Sequence, residues 1–301
     1  MADIVVVAGY SVAGFAESLA RSLGGELVAV ESKVFPDGEA YVRVPRSVKG
    51  SIAVVVETMY PEQNRRFLEL LMLADALRGL GAAHVVAVTP YLAYARQDKR
   101  FLEGEPITVA ALLRSLGIAG YEALVAVDVH KPESLAYFPG PSANVLPAKA
   151  FAEKLASTVK PSETIVVAPD RGALARARAL AELLGTDYDY LEKHRDRVTG
   201  EVTYKPKTVT VEGKTIVLVD DIISTGGTIA KSARILREQG ARRILVVCSH
   251  ALLVGNALEK IKSAGVEKLY AANTVQTPAE VEVVDVAPLV ADKLRQLLET
   301  L

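Results

Sequence analysis

The chain has 301 residues, 35 Lys and Arg against 36 Asp and Glu, a formal net charge of -1 and 50% apolar residues. That length fits two domains and that apolar content fits buried cores, which excludes a disordered chain. The charge balance gives no reason for bulk binding to nucleic acid or an anionic membrane, so any anion site is local.

In chain order, short runs rich in Val, Ile and Leu alternate with longer amphipathic stretches. Strands are predicted at 4–8, 52–57, 84–88, 123–127, 164–169, 215–219 and 244–247, and helices at 12–23, 65–80, 107–116, 173–184, 228–239, 251–263 and 287–298. Many strand runs are apolar on consecutive positions, the pattern of strands buried on both faces of a parallel sheet. Their alternation with helices predicts an α/β fold with right-handed crossovers. The run from Gly81 to Val88 echoes the run from Gly240 to Val247. Each follows a helix, and before that helix lies a strand ending in an acid, Glu57 or Asp220. The echo fits a duplicated domain and equally a recurrent βαβ joint. Pro139, Gly140, Pro141, Ser142, Asn144 and Pro147 cluster as a boundary, giving expected domains 1–145 and 146–301. The single cysteine, Cys248, cannot form an internal disulfide, so a cytoplasmic setting is expected. Asp3 inside the opening run argues against a signal peptide, and no stretch reaches the roughly 18 apolar residues of a membrane span.

The most informative segment is Val217-Leu218-Val219-Asp220-Asp221-Ile222-Ile223-Ser224-Thr225-Gly226-Gly227-Thr228. A buried strand ends in two carboxylates, followed by a turn of small residues and a helix start. Ligands of open α/β sheets bind at the carboxyl ends of strands, and a helix N-terminus offers N–H groups to a phosphate. Gly226 and Gly227 allow close backbone approach, while Ser224, Thr225 and Thr228 add hydroxyls. Ionised Asp220 and Asp221 accept hydrogen bonds from a polyol, so the segment reads as a sugar phosphate site. A plain helix cap by Ser224 or Thr225 would explain neither the glycine pair nor the acidic pair. The segment resembles the phosphoribosyl-diphosphate motif of the type I phosphoribosyltransferase fold, which serves several reactions.

Three further segments narrow the choice: Phe35-Pro36-Asp37-Gly38-Glu39, Tyr94-Ala95-Arg96-Gln97-Asp98-Lys99-Arg100-Phe101, and Val127-Asp128-Val129-His130-Lys131. Taken singly they read as a turn between strands, a charged loop and a strand-end histidine. In this order and spacing they resemble the ribose-phosphate diphosphokinases, archaeal members more than bacterial ones, from Phe35 to about Val247. The resemblance implies two phosphoribosyltransferase-like domains, each a mostly parallel sheet flanked by helices. It implies transfer of the diphosphoryl group of ATP to ribose 5-phosphate. Phe35, Asp37, Gly38, Glu39, Arg96, Gln97 and Asp98 are then expected on the ATP side. His130 and Asp170 are expected as Mg²⁺ ligands, and Lys193 and Arg195 as catalytic cations. Arg195, Asp220, Asp221 and Ser224 to Thr228 are expected to hold ribose 5-phosphate. The resemblance also implies a homo-oligomer, at least a dimer, in which the Phe35 segment reaches a neighbouring subunit. Two other readings use the same loop: a nucleobase phosphoribosyltransferase, which needs neither the Phe35 nor the Arg96 segment, and a non-catalytic regulatory relative, which would have lost catalytic-loop cations or the sugar loop.

Overall fold

Runs of β-branched residues with no polar face must be covered on both sides, and in this chain helices cover them. The computed structural model describes residues 3–10, 14–195, 202–206 and 209–301, without the side chains of 193–195 and 202–205. It forms two units, one of residues 1–145, 273–275 and 285–301, the other of residues 146–272 and 276–284.

The first unit contains β1 (Ile4–Ala8), α1 (Phe15–Leu23), β2 (Glu26–Ala29), β3 (Glu31–Val34), β4 (Ala40–Arg43), β5 (Ile52–Val56), α2 (Gln63–Gly79), β6 (His84–Thr89), α3 (Thr108–Ala119), β7 (Ala123–Val127) and β8 (Ser142–Val145). Its sheet has the order β2-β1-β5-β6-β7-β8, with neighbouring strands parallel. Strands β3 and β4 form a separate antiparallel hairpin.

The second unit contains α4 (Ala148–Leu155), β9 (Thr164–Ala168), α5 (Leu174–Leu184), β10 (Asp187–Arg195), β11 (Val202–Pro206), β12 (Thr215–Ile223), α6 (Gly227–Glu238), β13 (Arg243–Ala251), α7 (Ala257–Ser263), β14 (Lys268–Ala272) and β15 (Glu282–Val284). Its sheet order is β11-β10-β9-β12-β13-β14-β15, parallel except for the β10–β11 pair. Numbered among the parallel strands of its own sheet, each unit has the order 2-1-3-4-5-6. In each, an antiparallel hairpin follows the second strand. The echo between the two halves of the sequence is therefore a shared topology.

Two differences from the sequence reading have clear causes. The chain beyond residue 146 does not stay in one unit. Helix α8 (Ala287–Leu298) belongs to the first, where it packs on α1, β7 and β8. Asp285 holds the return: its Oδ2 accepts from Ser18 Oγ at 2.5 Å and its Oδ1 from Asn273 Nδ2 at 2.7 Å. The helix expected from 251 begins only at Ala257, because β13 continues to Ala251 in register with the lengthened β12, Ile223 opposite Ala251.

Helix α8 buries Ala287, Val290, Ala291, Leu294 and Leu297. Leu294→Ala should cost about 2–5 kcal/mol of stability. Hydrogen exchange should show protection lost first at α1, β7 and β8. Loss that begins in the second unit would contradict the assignment of this helix to the first.

Candidate active site

In the second sheet the chain runs outward in opposite directions from β9 and β12, so the crevice at their carboxyl ends is the topological switch point. Strand β9 delivers Asp170 there and β12 delivers Asp220 and Asp221. Asp170 is exposed, and its Oδ1 accepts from Gly172 N at 2.7 Å in a 3-10 turn, Arg171–Ala173. Asp220 is half-buried, and its Oδ1 accepts from Asp221 N at 3.0 Å. Burial first, then the adjacent Asp221 carboxylate, raises the Asp220 carboxyl to about 8, with Asp170 pushing the same way. Asp221 is turned inward. Its Oδ1 accepts from Ile222 N at 2.8 Å, and its Oδ2 lies 3.4 Å from the guanidinium of Arg176 on α5. The two acids thus have different surroundings: Asp220 faces the crevice and Asp221 faces its own scaffold.

The loop that follows is braced from behind. Leu253 N donates to Ile223 O at 3.1 Å and Val254 N to Ser224 O at 2.9 Å. Gly226 sits in the left-handed region, φ +73°, and a Cβ there would lie 2.9 Å from Ala257 O, so both conformation and space require glycine. Helix α6 starts at Gly227 with no side-chain cap. Ser224 and Thr225 therefore do not cap it. Thr225, Gly227 and Thr228 are exposed, Ser224 is half-buried, and the first turn of a helix leaves its N–H groups without intrahelical partners.

Lys193 and Arg195 lie on β10 opposite Tyr204 and Val202 of β11. Their side chains, like residues 196–201 of the same segment, lie outside the described residues.

In the first unit, Phe35, Asp37, Gly38 and Glu39 form the exposed turn of the β3–β4 hairpin. Phe35 N donates to Glu39 O at 2.8 Å, and Asp37 Oδ1 accepts from Glu39 N at 3.2 Å. Phe35 and Tyr41 meet edge to face at 6.0 Å, with Lys33 Nζ 4.6 Å from the Phe35 ring centre. Arg96 is exposed, Gln97 and Asp98 are half-buried, and Gln97 Oε1 accepts from Thr108 Oγ1 at 2.7 Å. His130 is half-buried just past β7, where Asp128 adopts φ +41° and Asn144 Oδ1 accepts from Val129 N at 2.8 Å. Among the described residues no group of three or more His, Cys, Asp or Glu side chains is placed to hold a metal ion.

The acid at the corresponding strand end of the first unit, Glu57, behaves differently. It is fully buried, its Oε2 accepts from Tyr10 N at 2.8 Å, and its Oε1 has no hydrogen-bond partner. Burial pushes its carboxyl well above the usual carboxylate range. Arg66 stacks 3.8 Å from the Tyr10 ring centre and pairs with Glu69 at 2.7 Å. That position is filled by the chain's own side chains. Arg176, in turn, went unnoticed in the sequence, because a helix run of Leu-Ala-Arg-Ala-Arg does not say which Arg turns toward the sheet.

Residues 4–120 match the family model of the N-terminal domain of ribose phosphate pyrophosphokinase, and residues 143–287 match that of the phosphoribosyl transferase domain. A ribose-phosphate pyrophosphokinase of Sulfurisphaera tokodaii is 40% identical over 97% of this chain and 100% of its own. One from Thermococcus kodakarensis is 45% identical over 86% of this chain and 90% of its own. The crystal structure of phosphoribosylpyrophosphate synthetase from Mycobacterium smegmatis superposes with a TM-score of 0.87 at 29% identity, covering 99% of each chain.

Asp220 holds its proton more tightly folded than unfolded, so it subtracts stability as pH rises from its ordinary value of 3.8 toward about 8. Without ligands, Asp220→Asn should melt higher than the parent at pH 8, with the gain shrinking toward pH 4. A gain of the same size at every pH would contradict a buried, proton-holding Asp220.

Proposed function

The chain belongs to the ribose-phosphate pyrophosphokinase family, and on that premise we propose how its residues share the transfer of the diphosphoryl group of ATP to the 1-hydroxyl of ribose 5-phosphate. One observation carries the assignment: an uncapped helix start behind Gly226, directly after an acidic pair at the switch point of the second sheet. The first-turn N–H groups of α6, with Ser224, Thr225 and Thr228, bind the 5-phosphate. Asp220, the crevice-facing acid, accepts hydrogen bonds from ring hydroxyls, and Asp221 supports it from behind through Arg176.

On the nucleotide side, the hairpin turn of Phe35, Asp37, Gly38 and Glu39 takes the adenosine, with the Phe35 ring stacking on the base. Arg96 and Gln97, with Asp98 beside them, hold the nucleotide and its phosphates, where an Arg suits bidentate contacts. Lys193 and Arg195 stabilise charge at the transferring group. The sugar O1 attacks the β-phosphorus in line, the new O1–P bond forms, the bond to the α-phosphate oxygen breaks to release AMP, and the O1 proton passes to solvent. Such a transfer asks the protein mainly for positioning and charge neutralisation.

Mg²⁺ is the proposed cofactor, and Asp170 and His130, each in its own unit, are its candidate protein ligands. Asp170 is a hard oxygen donor and fits the ion, whereas the imidazole of His130 is an unusual donor for it and rests on the family resemblance alone. Mg²⁺ keeps several waters and does not require a complete protein cage. Held by these residues, it would supply charge neutralisation at the phosphates of the nucleotide.

The exposed Val34, Phe35 and Tyr41 of the hairpin support a homo-oligomer, at least a dimer, in which this segment reaches a neighbouring copy. The single, buried Cys248 supports a cytoplasmic setting, and no helix among the described residues is long and apolar enough to cross a membrane.

Lys193→Ala should lower kcat on the order of 10²–10³-fold, about 3–4 kcal/mol, with little change in substrate affinity. Release of AMP from ATP and ribose 5-phosphate, with no nucleobase present, measures it. A loss below roughly tenfold would remove Lys193 from the catalytic machinery.

A further inference from the structure

The strand that carries Lys193 and Arg195 changes partners partway along. Residues Asp187 to Tyr190 of β10 pair in parallel with β9, ending at Tyr190 opposite Ala168. From Leu191, opposite Pro206, to Arg195, opposite Val202, β10 pairs antiparallel with β11. Up to Tyr190 the strand is part of a seven-stranded sheet; beyond it the chain continues as one arm of a ribbon. A two-stranded ribbon has little stability of its own. The position of Lys193 therefore depends on what fixes the ribbon's base.

Apolar packing fixes it in part: Leu191 and Val211 belong to the core of the second unit, and Val209 packs against that core. The remaining tie is polar. Pro206 has no N–H, so it can donate nothing to the ladder. Past it, Val209 N donates at 3.1 Å to a side chain, Asp189 Oδ2. Asp189 Oδ1 accepts from Tyr190 N at 2.8 Å, at the residue where β10 leaves β9. Asp189 is 4% exposed. A buried carboxylate is costly unless it is hydrogen-bonded, and an apolar residue at a buried strand position would be cheaper. An acid that accepts at the point of departure and from the returning arm clamps the two together.

We propose that Asp189 is a positioning residue for diphosphoryl transfer: its carboxylate clamps the returning chain at Val209 to the point where β10 leaves the sheet, and so fixes the ribbon that carries Lys193 and Arg195. The proposal rests on Lys193 being catalytic. Asp189 itself touches neither substrate, and its effect passes through the placement of the strand.

The test uses Asp189→Ala and Asp189→Asn, each alone and combined with Lys193→Ala. The readouts are kcat and KM in the AMP-release assay, and hydrogen exchange of the Val209 amide in the free enzyme. Asp189→Ala should lower kcat about tenfold or more, with KM for ATP within about threefold, and should speed exchange at Val209. Asp189→Asn, which keeps one acceptor oxygen, should fall between Asp189→Ala and the parent; if the alanine variant does not fold, the asparagine variant carries the comparison. Adding Asp189→Ala to Lys193→Ala should cost clearly less than the product of the two single losses, because the contribution of Lys193 is removed by both and only that of Arg195 is left to lose. Unchanged kcat on loss of Asp189, beside a crippled Lys193→Ala, would overturn the clamp and leave the catalytic assignment standing. Fully additive losses would make Asp189 a merely structural residue. Full activity in Lys193→Ala would instead overturn the assignment on which the proposal rests.

Discussion

Strands buried on both faces can offer chemistry only at their ends, and this constraint organises the molecule. In both units the sheet interior is mainly Val, Ile, Leu and Ala, and the acids Glu57, Asp170, Asp220 and Asp221 stand at or past the carboxyl ends of the central strands. The shared 2-1-3-4-5-6 order gives each unit one switch-point crevice and one hairpin after its second strand. The two hairpins hold different residues. In the first unit the hairpin carries Phe35, Asp37 and Glu39, and in the second it carries Lys193 and Arg195. The two units share a strand order but place different residues at equivalent positions.

Burial and charge distinguish the two crevices among the described residues. At the end of β12, Asp220 remains half-exposed beside an uncapped helix start. Its raised carboxyl marks a place where negative charge is crowded and a hydrogen-bonding or cationic partner is favoured. At the end of β5, Glu57 is fully buried, its carboxylate is held by Tyr10 N, and Thr58-Met59-Tyr60-Pro61 follow in place of a glycine loop. With near-neutral overall charge, the proposed anion binding draws on local features: backbone N–H groups at α6 and the cations Arg96, Lys193 and Arg195.

Much of this was legible in the sequence because it depends on local pattern. The buried strands show as unbroken Val and Ile runs, and the loop from Asp220 to Thr228 shows through its glycine and acid pairs. The rest depends on tertiary pairing. The extra turns of β12 and β13 exist because each pairs with the other beyond Val219 and Val247, which neither run reveals alone. Edge strands β2 and β15 carry mixed exposure and so lack a clean period. The return of α8 to the first unit hangs on Asp285 meeting Ser18, a contact between residues far apart in the chain. Arg176 and Asp189 are ordinary surface types in the sequence, and only the fold turns one toward Asp221 and the other toward Val209.

The most direct measurement is amide chemical-shift mapping of the isotopically labelled protein titrated with ribose 5-phosphate alone. A sugar site built on the second sheet predicts the largest shifts at Asp220, Gly226, Gly227 and Thr228, with the amides from Glu57 to Gln63 nearly still. Shifts of equal size at the end of β5, or silence at the start of α6, would contradict it.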